Sequence, residues 1–127
     1  MTEPTPPTSF KTATLLITEQ AIRTYAELTN DFNPLHLDSD FAAQTPMGRV
    51  IAHGTLSLCL LWQAVYRNFR AADIASLELD VRFIKPVFIG DSITAGITPN
   101  ADTPGGWRVW VRNQDGQDCV AGEMRFC

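Results

Sequence analysis

One of the two histidines in this 127-residue chain closes the stretch Thr29-Asn30-Asp31-Phe32-Asn33-Pro34-Leu35-His36. A carboxylate and an imidazole five positions apart can take up and return a proton near neutral pH, and the intervening Pro34 stiffens the turn that would bring them together. Asp31 also breaks a local rule. It falls at the C-terminal end of a helical pattern, where the negative end of the helix dipole disfavours a carboxylate by roughly 0.3–1 kcal/mol. No neighbour in sequence compensates, and an uncompensated violation marks a place to look for function. A plainer account competes with this one: Asp31 and Asn33 only build an Asx turn ahead of Pro34, and His36, flanked by Leu35 and Leu37, is a half-buried side chain. Spacing alone leaves both standing.

A second constellation is Ala52-His53-Gly54-Thr55. It precedes an apolar helix whose first N–H groups have no partner within the helix. Gly54 puts no side chain in the way, so a carbonyl oxygen could dock there and gain negative charge during a reaction. A donor so placed is worth roughly 2.7–4 kcal/mol to a transition state. The plainer account is close packing at Gly54, with His53 capping or buttressing the loop; His53 is assigned no chemistry. No HExxH, cysteine pair, GxSxG, P-loop or dinucleotide glycine pattern occurs, and two histidines seventeen residues apart make a weak case for metal.

The elements that must hold these groups follow from periodicity. Phe10–Ile17 reads as a strand. Thr18 supplies a helix N-cap, and Ala21, Ile22, Tyr25, Ala26 and Leu28 recur at three- and four-residue spacing, so the reading is an amphipathic helix over Glu19–Thr29. Asn30 to Pro34 breaks it, and Asp38 caps a short turn through Phe41, Ala42 and Ala43. Thr55–Tyr66 is apolar nearly all the way round and belongs inside the protein, with Cys59 in its core. Four strands then follow as a meander: Leu77–Phe83, Ser92–Thr98, Trp107–Arg112 and Asp118–Phe126, the last two joined by a hairpin turn at Gln114-Asp115-Gly116. The expected fold class is α+β, an antiparallel five-stranded sheet curved around the one long buried helix.

Composition bounds the rest. Net charge is −4 with 10 Lys and Arg and no basic cluster, which excludes a nucleic-acid-binding face. No apolar run is long enough for a membrane span. Residues 1–9 read as a proline-rich disordered lead-in with no signal-peptide pattern, and residues 10–127 as a single domain. Three cysteines without a CxxC fit free thiols and a cytoplasmic setting.

Together these residues resemble the MaoC-like (R)-specific enoyl-CoA hydratases of the hot-dog superfamily. Tyr25 to His36 reads as the signature of that family, an aromatic residue followed by an Asp-x-Asn-Pro-aliphatic-His core; Ile51–Leu58 and Val81–Asp91 look like its later blocks. The resemblance covers Phe10 to Met124. It implies that Asp31 and His36 activate the water that adds across a trans-2-enoyl-CoA to give an (R)-3-hydroxyacyl-CoA, while the Gly54 N–H holds the thioester carbonyl. It also implies a substrate-binding role for Asn33, Trp62, Val65 and Tyr66, no cofactor beyond the coenzyme A carried by the substrate, and a homodimer or higher homo-oligomer. Asn30 stands where the family carries glycine, and asparagine tolerates the left-handed geometry that the turn requires. Trp62 stands where relatives carry a small residue, which leaves the acyl group open. A hot-dog thioesterase and a non-catalytic acyl-CoA-binding subunit are the competing readings.

Overall fold

The computed structural model describes residues 10–103 and 105–126; the lead-in expected over 1–9 lies outside them. In chain order the elements are β1 (Ala13–Leu16), α1 (Glu19–Thr29), α2 (Pro34–Leu37), α3 (Ser39–Ala43), α4 (Gly54–Asn68), α5 (Ala71–Ile74), β2 (Leu77–Phe83), β3 (Ser92–Pro99), β4 (Gly106–Arg112) and β5 (Asp118–Phe126). The five strands form one antiparallel sheet in the order β1-β3-β4-β5-β2, and α4 packs across β1, β3 and β4. This is the expected α+β hot-dog arrangement.

The four-strand meander needs correction. Only β3, β4 and β5 run as one; β2 pairs with β5, from Leu77 opposite Phe126 to Phe83 opposite Val120. The connection after Phe83 is too long for a hairpin and makes its own backbone bonds. Ala52 N–H donates to the Val87 carbonyl, Ile89 N–H to that of Val50, and Gly90 N–H to that of Ile17. It thus crosses to the far edge and delivers β3 beside β1. Gly122 permits the β2–β5 pairing, because a Cβ there would stand 2.0 Å from the Asp80 carbonyl oxygen.

Alternating Ile93, Ala95, Ile97, Val109, Val111 and Val120 turn inward from the sheet and meet Leu56, Leu60, Leu61, Ala64 and Val65 of α4. One sheet covers one side of a helix, so α4 is buried along that side and open along Thr55, Cys59, Gln63, Tyr66 and Arg67. The expectation of a helix enclosed all round therefore fails for this stripe, and Cys59 is exposed rather than in the core. Among the described residues no helix is long and apolar enough to cross a membrane.

Candidate active site

The loop carrying Asp31 and His36 is built by three local devices. Helix α1, capped at its start by the Thr18 hydroxyl, which accepts from Ala21 N at 3.0 Å, ends at Asn30 in the left-handed region (φ 55°, ψ 36°). Asp31 N–H turns back to the Ala26 carbonyl at 3.1 Å. Asn33 then caps α2, its Oδ1 accepting from Leu35 N–H at 3.0 Å, with Pro34 at the first helical position, where a missing N–H costs nothing. Asp31 Oδ1 accepts from Asn33 N–H at 3.3 Å. The Asx turn exists, and it offsets the unfavourable helix end. It also leaves the exposed Asp31 carboxylate with its second oxygen uncommitted among the described residues.

His36 sits within α2 and is half buried. Its Nδ1 lies 2.7 Å from the Ile51 carbonyl oxygen. A carbonyl only accepts, so Nδ1 carries the proton and Nε2 is the free nitrogen. A side-chain oxygen of Asp31, a ring nitrogen of His36 and a ring nitrogen of His53 all lie within 4.8 Å of one another. One water making two hydrogen bonds of ~2.8 Å at a tetrahedral angle spans roughly 4.6 Å, so Asp31 and His36 stand at bridging distance.

His53 belongs to this cluster: it buttresses a loop, as the plainer sequence account allowed, but the loop is the one that carries Asp31. It is 2 % exposed. Its Nε2 lies 3.0 Å from the Asp31 main-chain carbonyl oxygen, its ring stacks on His36 with centroids 4.0 Å apart, and Tyr25 meets its face edge-on at 5.1 Å. Tyr25 in turn donates to the Thr55 hydroxyl at 2.7 Å. Burial pushes the Tyr25 phenol above its ordinary range, the Thr55 bond works against that, and the Asp31 charge adds to the rise. Nδ1 of His36 and Nε2 of His53 are each already engaged with a main-chain carbonyl.

A groove of about 320 Å³ opens beside the pair. His36 and Gly54 both line it, with Met47, Phe83, Ile84 and Val120 among its apolar walls. Gly54 leads α4, and a Cβ there would come 3.2 Å from the Phe83 ring. Asp31 is outside the lining and adjoins it through His36. The remaining expected site residues fall elsewhere: Asn33 Oδ1 is committed to capping α2, Val65 is wholly buried in the core, Trp62 is partly buried against that core, and Tyr66 is 60 % exposed. None of Trp62, Val65 and Tyr66 lines this groove. A cleft of similar size, about 370 Å³, lies at the other end of the sheet around Trp107 and Glu123, away from these groups.

A five-stranded sheet holding one long helix, with Asp, His and a glycine amide gathered at the helix mouth, defines a hot-dog protein whose polar site opens on an apolar groove. The profile of the family described as MaoC like domain matches residues 2–112, and the chain belongs to that family. It is 38 % identical over 80 residues to an (R)-specific enoyl-CoA hydratase of Aeromonas caviae, covering 63 % of this chain and 60 % of that protein. To 3-hydroxyacyl-thioester dehydratase X of Mycobacterium tuberculosis it is 36 % identical over 117 residues, 87 % of this chain and 39 % of the relative. The matched segments thus span less than two thirds of either curated relative. Among solved structures, the (R)-hydratase from A. caviae involved in PHA biosynthesis superposes with a TM-score of 0.72 at 26 % identity, covering 100 % of this chain and 98 % of that one.

Proposed function

We propose that the chain is a hydro-lyase that reversibly hydrates a trans-2-enoyl-CoA to an (R)-3-hydroxyacyl-CoA. The observation that carries this reading is the placement of Asp31 and His36 within 4.8 Å of each other, beside a groove that His36 shares with Gly54. Asp31 and His36 hold one water and take its proton as the oxygen adds to C3. The site then returns a proton to C2, so the proton balance closes without a cofactor. The Gly54 N–H polarises the thioester carbonyl as it becomes enolate-like, in the manner of an oxyanion donor. The acyl tail lies against Met47, Phe83, Ile84 and Val120, a wall that favours an apolar group. The (R) outcome rests on the names of the relatives. The working form is a homodimer.

The test is loss of the ultraviolet absorbance of a conjugated enoyl thioester. Asp31→Asn keeps the fold and the Asx turn, since an amide oxygen still accepts from Asn33 N–H. It should lower turnover by about 10²–10⁴-fold, the usual contribution of a positioned base. Unchanged turnover in this variant, or release of free thiol from a saturated acyl-CoA in place of hydration, refutes the reading.

A further inference from the structure

His53 joins the three groups of the proposed site, each by a different part of the residue. Its Nε2–H donates to the Asp31 carbonyl at 3.0 Å. Its ring face backs the His36 ring at 4.0 Å and 28°. Its own carbonyl accepts from Leu56 N–H at 3.0 Å, closing the first turn of α4 that begins at Gly54. One observation shows that this is more than filling space. His53 Nδ1 is buried with no hydrogen-bond partner among the described residues, a cost that an apolar ring of similar size would avoid. A phenyl ring would supply the flat face without the donor, and a glutamine the donor without the face. An imidazole supplies both, and the idle Nδ1 is the consequence.

We infer that His53 is a positioning residue of the hydration site: its ring holds the His36 imidazole in plane while its Nε2–H fixes the Asp31 main chain. This rests on the function proposed above. His53 touches neither water nor substrate in this scheme and acts through Asp31 and His36. With Nδ1 of His36 bonded to Ile51 on one side and His53 stacked on its face, the ring has one orientation available, and Nε2 points at a fixed place. A shift of about 1 Å in such a group costs on the order of 10²-fold in rate.

Two variants separate the two roles. His53→Phe keeps the face and removes the donor; His53→Gln keeps a donor near the Nε2 position and removes the face. Both should lower kcat by about 10- to 100-fold while KM moves by less than about threefold, because acyl-CoA binding is left intact. The nitrogen spectrum of His36, read with ¹⁵N-labelled histidine, should report a single Nδ1–H tautomer in the native chain and in His53→Phe, and a mixture in His53→Gln. Combined with Asp31→Asn, His53→Phe should add little further loss, since the donor it removes acts through the Asp31 turn whose carboxylate is already replaced. Native-like kcat and an unaltered His36 spectrum in both variants overturn the inference, as does full additivity of His53→Phe with Asp31→Asn. Should the native chain hydrate no enoyl-CoA, the proposed function fails, and the His36 spectrum alone still decides whether His53 holds that ring.

Discussion

Asn30 is the one non-glycine residue with positive φ among the described residues, and it immediately precedes the proposed catalytic Asp31. A β-branched side chain pays roughly 1–2 kcal/mol for that conformation, whereas glycine pays no steric cost. Asn30→Gly should therefore melt within about a degree of the native chain with turnover retained. Asn30→Val should melt several degrees lower by calorimetry, and its kcat should fall further than the stability loss accounts for, because Asp31 N–H loses its register on Ala26. Turnover equal in the two variants counts against a strained turn aiming the carboxylate. A second expectation concerns the thiols. Burial pushes the Cys119 thiol above its ordinary range, while Cys59 is exposed. A thiol reagent at pH 8 should label Cys59 in the folded chain and Cys119 only on unfolding. Because the folded value is the raised one, this group contributes its full stability below the unfolded thiol value and loses it as pH climbs toward the folded one. Asp31, Asn33 and His36 were legible because one short turn builds their geometry. His53 was not, since it meets Asp31 and His36 only after α4 docks.

Helix α4 shows how far periodicity reaches. The apolar run announced a long helix against the sheet, and the helix spans Gly54–Asn68. How much of its circumference the sheet covers is not encoded in that run, so Cys59 reads as core in the sequence and is exposed in the structure. The strands were legible within a residue or so, except that β1 is shorter than its apolar pattern. Their order was not, because alternation fixes which face of a strand is buried and leaves its neighbour open. That order matters at the helix mouth: β2 beside β5 places Phe83 over Gly54. Gly54→Ala keeps the backbone donor, and the added methyl meets the exposed Phe83 ring at 3.2 Å. The ring can yield, so melting should change by less than about 1 kcal/mol, within the usual range for partly exposed sites. The methyl nonetheless occupies the approach to the amide, and kcat/KM for enoyl-CoA should fall about 10-fold or more. Native-like kcat/KM in Gly54→Ala would remove the Gly54 amide from the proposed site.

The sheet ends in two edges of unequal character. β1 is four residues long, whereas β2 presents seven, Leu77–Phe83, with β5 on one side and, among the described residues, no strand on the other. No proline or bulge interrupts β2, and it runs into Phe83 and Ile84, which are 57 % and 53 % exposed. A long strand edge that ends in apolar side chains is a template for another strand. A second copy of the same edge, turned about a two-fold axis, is the simplest occupant. The expected outcome is a sedimentation mass of two chains, with β2 amides exchanging hydrogen as slowly as those of β4. Phe83→Lys with Ile84→Lys should yield a monomer of unchanged far-ultraviolet dichroism and fast β2 exchange. Phe83 and Ile84 also wall the groove beside His36 and Gly54, so pairing at this edge would shield the groove mouth from water. Specific activity should then fall on dilution through the dissociation range, together with the sedimentation mass. A native chain that sediments as a monomer at every concentration while hydrating enoyl-CoA at full rate would remove the partner from the site.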